Sequence, residues 1–136
     1  MRKYLFLLLA AVAMSMFVAP AVAQAGCQVQ PGPTAATTSV QTYSYVACTT
    51  GNGSHYQLRM YIQGNYNGWH SVSTGIAFDI FSPVNNYRQR FNGGYGCAMF
   101  AAGDTQARNK SVLENMVTHT TDIGYGSVVA LPPDCQ

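Results

Sequence analysis

The sequence predicts an α+β domain: five or six mostly antiparallel strands, one helix in the C-terminal half packed on the sheet, and two disulfides. Three observations predict it. Apolar and polar residues alternate with period two over segments between residues 40 and 102, each bounded by Gly, Asn or Pro. The period then lengthens to that of a helix, with Ala107, Val112, Leu113, Met116, Val117 and Thr120 in one stripe. Cys27, Cys48, Cys97 and Cys135 give an even cysteine count within about a hundred residues, the usual mark of a disulfide framework.

The chain opens on Met1-Arg2-Lys3, an apolar run over residues 5–19, Pro20, and the small-residue pattern Ala21-Val22-Ala23. This reads as a bacterial signal peptide over residues 1–23, leaving one β-rich domain over residues 24–136. The apolar run is shorter than the roughly 20 residues needed to span a bilayer, so no transmembrane segment is expected after cleavage. Ala25-Gly26-Cys27 gives a competing reading, the end of a lipobox with a lipidated Cys27, although Gln24 stands where Leu belongs. Either reading places the protein outside the cytosol, secreted or periplasmic.

Residues 28–39, with Pro31, Gly32 and Pro33, read as an arm without regular structure. Residues 40–48 and 55–63 alternate cleanly around a turn at 49–54 and together read as a hairpin. A Gly- and aromatic-rich loop spans 64–71, followed by a strand at 72–82 that Pro83 closes. Strands at 87–91 and 95–102 flank a turn at Asn92-Gly93-Gly94. The helix is expected over 105–118, with Asp104 as N-cap and Asp122 and Gly124 at its exit. A last strand at 126–131 ends at Pro132-Pro133. The triplets Gly94-Tyr95-Gly96 and Gly124-Tyr125-Gly126 flank the helix and suggest a strand–helix–strand unit with both tyrosines at one rim. Four cysteines allow three connectivities; Cys27–Cys48 and Cys97–Cys135 are preferred because each ties a chain end to the nearest expected strand.

Charge excludes some functions. The net charge of +2 comes from Arg2 and Lys3, and the remainder balances Arg59, Arg88, Arg90, Arg108 and Lys110 against Asp79, Asp104, Glu114, Asp122 and Asp134. Only 9% of residues are charged. A surface this neutral argues against a nucleic-acid partner held by backbone neutralisation. No cofactor fingerprint and no metal-ligand spacing occurs, so neither a cofactor nor a metal is expected. The sequons Asn52-Gly53-Ser54 and Asn109-Lys110-Ser111 are not expected to be glycosylated behind a bacterial leader.

Two sets of residues remain. His55 and Arg59 share one face of a strand and, with His119, would supply a His-dependent site for phosphodiester hydrolysis, as in a small secreted ribonuclease-like hydrolase. Tyr66, Asn67, Trp69, Tyr87 and Arg88 combine rigid aromatic area with adaptable polar groups, the mixture found in paratopes. Trp69, the only tryptophan, either anchors a ligand or caps the core. The sequence therefore favours a binding module for a protein or glycan over a hydrolase. An inhibitor of a secreted hydrolase is the third reading, since a disulfide-held domain is a rigid platform.

Overall fold

The computed structural model describes residues 26–49 and 54–136, so the leader over residues 1–23 and the sequon at Asn52 lie outside the described residues. Its strands are β1 (Cys27–Pro31), β2 (Ala35–Ala36), β3 (Ser39–Cys48), β4 (His55–Asn65), β5 (Trp69–Ser71), β6 (Ile76–Phe81), β7 (Tyr87–Gly96), β8 (Gln106–Asn115), β9 (Thr121–Tyr125) and β10 (Val129–Ala130). They form two sheets, and every pairing is antiparallel. In the smaller sheet β3 is central, with β7 on one side and β1 and β2 in line on the other. In the larger sheet β4 and β8 are central, flanked by β5 and β6 beyond β4 and by β9 and β10 beyond β8.

The two sheets face each other as a sandwich, and alternation along each strand decides what enters the core. Strand β3 turns Val40, Thr42, Ser44, Val46 and Cys48 inward, while β4 turns in Tyr56, Leu58, Met60 and Ile62. One apolar cluster gathers Val29, Val46, Leu58, Met60, Ile80, Phe91 and Leu113. A second gathers Val40, Ile62, Tyr95, Ala107, Leu131 and Cys135. Each fully buried side chain of this size stabilises the fold by about 1.5–3 kcal/mol. Between the clusters, along β3 and β8, runs a buried polar belt. The hydroxyls of Ser44 and Ser111 share a hydrogen bond of 2.6 Å, Asn109 Nδ2 donates to Ser44 Oγ at 3.0 Å, and Asn109 N donates to Thr34 Oγ1 at 3.1 Å.

The expected helix does not exist. Among the described residues the helical segments are the short 3-10 turns Cys97–Met99 and Pro133–Cys135, and the architecture is β-rich rather than α+β. Residues 106–115 form β8, and the polar belt explains the misreading. Its inward positions are Ala107, Asn109, Ser111, Leu113 and Asn115, three of them polar, so the period-two pattern is invisible to hydropathy. Outward-facing Val112 then aligns by chance with Leu113 and Met116 at helical spacing. Asp104 is accordingly not an N-cap, and Asp122 and Gly124 lie within β9 rather than at a helix exit.

Other expectations are corrected with it. The segments 40–48 and 55–63 are not a hairpin, because consecutive strands β3 and β4 belong to different sheets. Asn92-Gly93-Gly94 is no turn: neither glycine adopts positive φ, and β7 pairs with β3 without a break from Tyr87 to Gly96. Residues 97–102 lie outside any strand, and the arm contributes β1 and β2. Tyr95 is buried with its hydroxyl donating to Met60 O at 2.9 Å, whereas Tyr125 is exposed, so the two tyrosines share no rim.

The disulfides pair Cys27 with Cys48 and Cys97 with Cys135. With its sulfur bonded to Cys48, Cys27 has no thiol to carry a lipid thioether. Asn109 of the second sequon has no exposed surface in the folded protein. No described helix is long and apolar enough to cross a membrane.

Candidate functional site

The outer face of the larger sheet carries most of the chemistry. Alternation turns His55, Gln57, Arg59, Tyr61 and Gln63 of β4 outward, with Arg108, Lys110, Val112 and Glu114 of β8 beside them. Register places Trp69 opposite Asn65 and Tyr125 opposite Lys110. At one end of this face the Arg108 guanidinium lies between two rings, 4.1 Å from the Trp69 centroid and 4.4 Å from that of Tyr125. Arg108 Nε donates to Gln63 Oε1 at 2.9 Å, which fixes the plane of the group. Both stacking contacts fall within cation–π range, and together they hold three large side chains in one geometry.

Trp69 therefore neither caps the core nor stands free: it is half-buried against Arg108 on the sheet face. Asn67 sits at the tip of the β4–β5 turn with a positive φ of 54°, and Asn65 Oδ1 accepts from Gly68 N at 3.2 Å to close that turn. Tyr66, 57% exposed, lies over Gly103 in the turn leading to Asp104. The remaining two sequence-derived binding residues are elsewhere. Arg88 is on the outer face of the smaller sheet, its guanidinium 4.3 Å from the Tyr45 centroid. Tyr87 packs against the apolar core and donates its hydroxyl to Gln89 Oε1, and burial pushes its phenol above the usual tyrosine value. The five residues thus do not converge on one patch.

The histidine set is more compact. His55 Nε2 meets Asp79 Oδ1 at 2.9 Å, its ring stacks on Phe81 at 4.3 Å, and Gln57 Nε2 donates to the same carboxylate oxygen at 3.2 Å. The His55 hydrogen bond, then that from Gln57, hold the Asp79 carboxyl below its ordinary value. Arg59 Nε donates to Gln57 Oε1 at 2.7 Å. On the far side of Gln57 lies its cross-strand neighbour Glu114, whose Oε1 is 3.5 Å from His119 Nδ1 in the β8–β9 turn. His119 belongs to that turn, with a positive φ of 57°, and so owes nothing to a helix C-terminus. Two imidazoles, each on a carboxylate, and one guanidinium therefore share a face.

A third pair escaped sequence reasoning. Asp104 has no exposed surface, and its Oδ2 accepts from Ala101 N at 2.9 Å and meets His70 Nε2 at 3.1 Å. His70 is on β5 between Trp69 and Ser71, and register with β4 sets it opposite Gly64 on the inner face. Arg108 was likewise hidden, inside the expected helix. A period-two reading of residues 106–115 would have put Arg108 and Glu114 on one outer face. Among the described residues no group of three or more His, Cys, Asp or Glu comes together as metal donors.

Comparison with protein-family models, with curated proteins and with solved structures finds no match to the chain.

Proposed function

We propose that the chain is an exported, secreted or periplasmic, binding module that recognises a protein or glycan through the Trp69 end of the larger sheet. The observation that supports this most is the Trp69–Arg108–Tyr125 stack. Tryptophan, tyrosine and arginine dominate binding hot spots, and here all three are pre-ordered on an open sheet face. Pre-ordering lowers the entropy a ligand must overcome, so contacts made there convert more fully into affinity. Asn65, paired with Trp69 in register, and the exposed Tyr66 that follows it add further amide and aromatic groups at this end of the sheet. Two disulfides, which persist in oxidising compartments, and the leader-like first 23 residues support export. The test is a glycan array and a partner pull-down with the wild-type chain and with Trp69→Ala, Tyr66→Ala and Arg108→Ala. Binding should fall at least tenfold in Trp69→Ala and Arg108→Ala; retention of full affinity in both sinks the reading.

One observation favours a second reading, a His-dependent hydrolase of phosphodiesters. His55, Arg59 and His119 share the outer face of the larger sheet with Asp79 and Glu114 as orienting carboxylates. A pair of oriented imidazoles is the arrangement general acid–base cleavage uses. An RNA-cleavage assay decides it: activity abolished by both His55→Ala and His119→Ala supports the hydrolase, and an inactive wild-type chain removes it.

A further inference from the structure

The outer face of the smaller sheet has a composition unlike the rest of the molecule. Register arranges it in rows: Gln28, Ala47 and Arg88; Gln30, Tyr45 and Arg90; Tyr43 and Asn92; Ala35, Gln41 and Gly94. Both arginines lean one row along the strand. Arg90 lies opposite Tyr45 yet its guanidinium is 3.9 Å from the Tyr43 centroid, and Arg88 lies opposite Ala47 yet covers Tyr45. Tyr43 and Tyr45 meet edge to face at 5.6 Å, so the two rings brace each other while each carries its own cation. Arg90 Nε donates to Asn92 Oδ1 at 2.8 Å, which fixes the plane of the fork.

Among the described residues no carboxylate side chain shares this face. Asp79 and Glu114 belong to the outer face of the larger sheet, Asp104 is buried, Asp122 accepts from Val29 N at 2.7 Å, and Asp134 sits in the C-terminal 3-10 turn. Among the described residues neither Arg88 nor Arg90 is paired with a carboxylate. The guanidinium forks are therefore positioned by aromatic stacking and one amide rather than neutralised.

Beside Arg90 lies a pocket of about 520 Å³, lined on this face by Pro33, Gln41, Tyr43, Asn92 and Gly94 and reaching past Gly93 to Ile76 of the larger sheet. That volume is within the range of small-ligand sites. A Cβ built on Gly94 would meet nothing within 4 Å, which shows that the space above it is open.

We propose that this face is a second binding surface, for an acidic polysaccharide, with a sugar carboxylate held by Arg90 in the pocket and a second one by Arg88. A planar carboxylate matches the two parallel N–H groups of a guanidinium fork. The amides of Gln28, Gln30, Gln41 and Asn92 supply both donors and acceptors for ring hydroxyls. This surface is independent of the Trp69 end, which lies on the other sheet.

The test is binding of the full chain to polygalacturonate, dextran sulfate, neutral dextran and poly-glutamate at low and physiological salt. Polygalacturonate should bind, neutral dextran should not, and raising the salt should weaken the complex. Arg90→Gln should weaken it at least tenfold. Gly94→Leu should do the same by filling the pocket, since position 94 has ordinary strand geometry and free space above it. Arg90→Lys should recover only part of the affinity, because it keeps the charge and loses the fork. Unaltered binding in both Arg90→Gln and Gly94→Leu, with native circular dichroism, overturns the proposal. So does equal binding of poly-glutamate, which would reduce the effect to charge, or binding of dextran sulfate without polygalacturonate. The measurement is repeated in Trp69→Ala; loss of binding there would put the ligand on the other face and also overturn it.

Discussion

The carboxylate of Asp104 is fully buried and lies between the ring of His70, 3.1 Å away, and the backbone of Gly64. A Cβ at position 64 would come within 2.4 Å of Asp104 Oδ2, so the glycine is what lets the acid enter the end of the sandwich. The buried acid in turn orients His70 and, through Ala101 N, shapes the turn beneath Tyr66.

Asp104→Ala should therefore destabilise the protein by about 1–3 kcal/mol, the usual cost of leaving buried donors without their acceptor. Gly64→Ala should cost about 1–3 kcal/mol by overpacking. The double variant should cost less than the sum, because the methyl group then occupies space the carboxylate has left. Urea unfolding of the four proteins measures the coupling, and strict additivity would refute the contact.

The polar belt makes a second prediction. Ser44 and Ser111 come from different sheets, and Asn109 bridges them by donating to Ser44 Oγ and accepting from Ser111 Oγ at 3.3 Å. Ser44→Ala or Ser111→Ala leaves a buried hydroxyl with one partner fewer, at about 1–3 kcal/mol. Removing both should cost less than the two single changes together, with a coupling of about 0.5–3 kcal/mol. Asn109→Leu should cost more than either serine change, since it also removes the donor to Tyr43 O. Chemical denaturation checks the order.

The same belt explains how far the sequence could be read. Residues 40–48 and 55–63 alternate with apolar residues at most inward positions, and β3 and β4 lie there, longer by only a few residues. In β8 the inward set includes Asn109 and Ser111, whose buried polar groups are satisfied by partners on β3 and in the β1–β2 connection, and Asn115, which accepts from Val117 N and Thr118 N of the turn that follows. No local pattern reports a partner 65 residues away. Gly93 and Gly94 misled for a related reason: composition marks them as a turn, and pairing with Gln41 and Thr42 makes them strand. At the candidate site, His55 with Arg59 was legible because both lie on one alternating strand. Their link to His119 through Gln57 and Glu114 was not, because it depends on β8 pairing with β4. The disulfides were legible because each closes a chain end onto a neighbouring segment.

Those disulfides give a third expectation. Cys97–Cys135 closes a separation of 38 residues and joins the two 3-10 turns, with Cys135 buried in the second apolar cluster. Restricting the unfolded chain in this way stabilises the fold by about 2–4 kcal/mol. Cys97→Ser with Cys135→Ser should lower the unfolding midpoint accordingly, and the wild-type chain should show no reactive thiol when denatured without reductant. Four titratable thiols would contradict the pairing.

Asp79 provides the last, through its pH dependence. Its carboxyl is held below the ordinary carboxylate value first by the His55 hydrogen bond and then by that of Gln57. A depressed acid favours the fold in its ionised form. Its contribution is therefore complete above the ordinary carboxylate range and disappears as the pH falls through the lowered value. In His55→Ala the main cause is gone, so the Asp79 midpoint should move up toward the ordinary value. In Gln57→Ala it should move by less, and in Arg59→Gln least, since Arg59 reaches Asp79 only through Gln57. Carboxyl-carbon NMR titration of the three variants reads these shifts directly. An Asp79 midpoint unchanged by His55→Ala would show that the pair does not form in solution, and with it would go the orienting carboxylate that the hydrolase reading needs for His55.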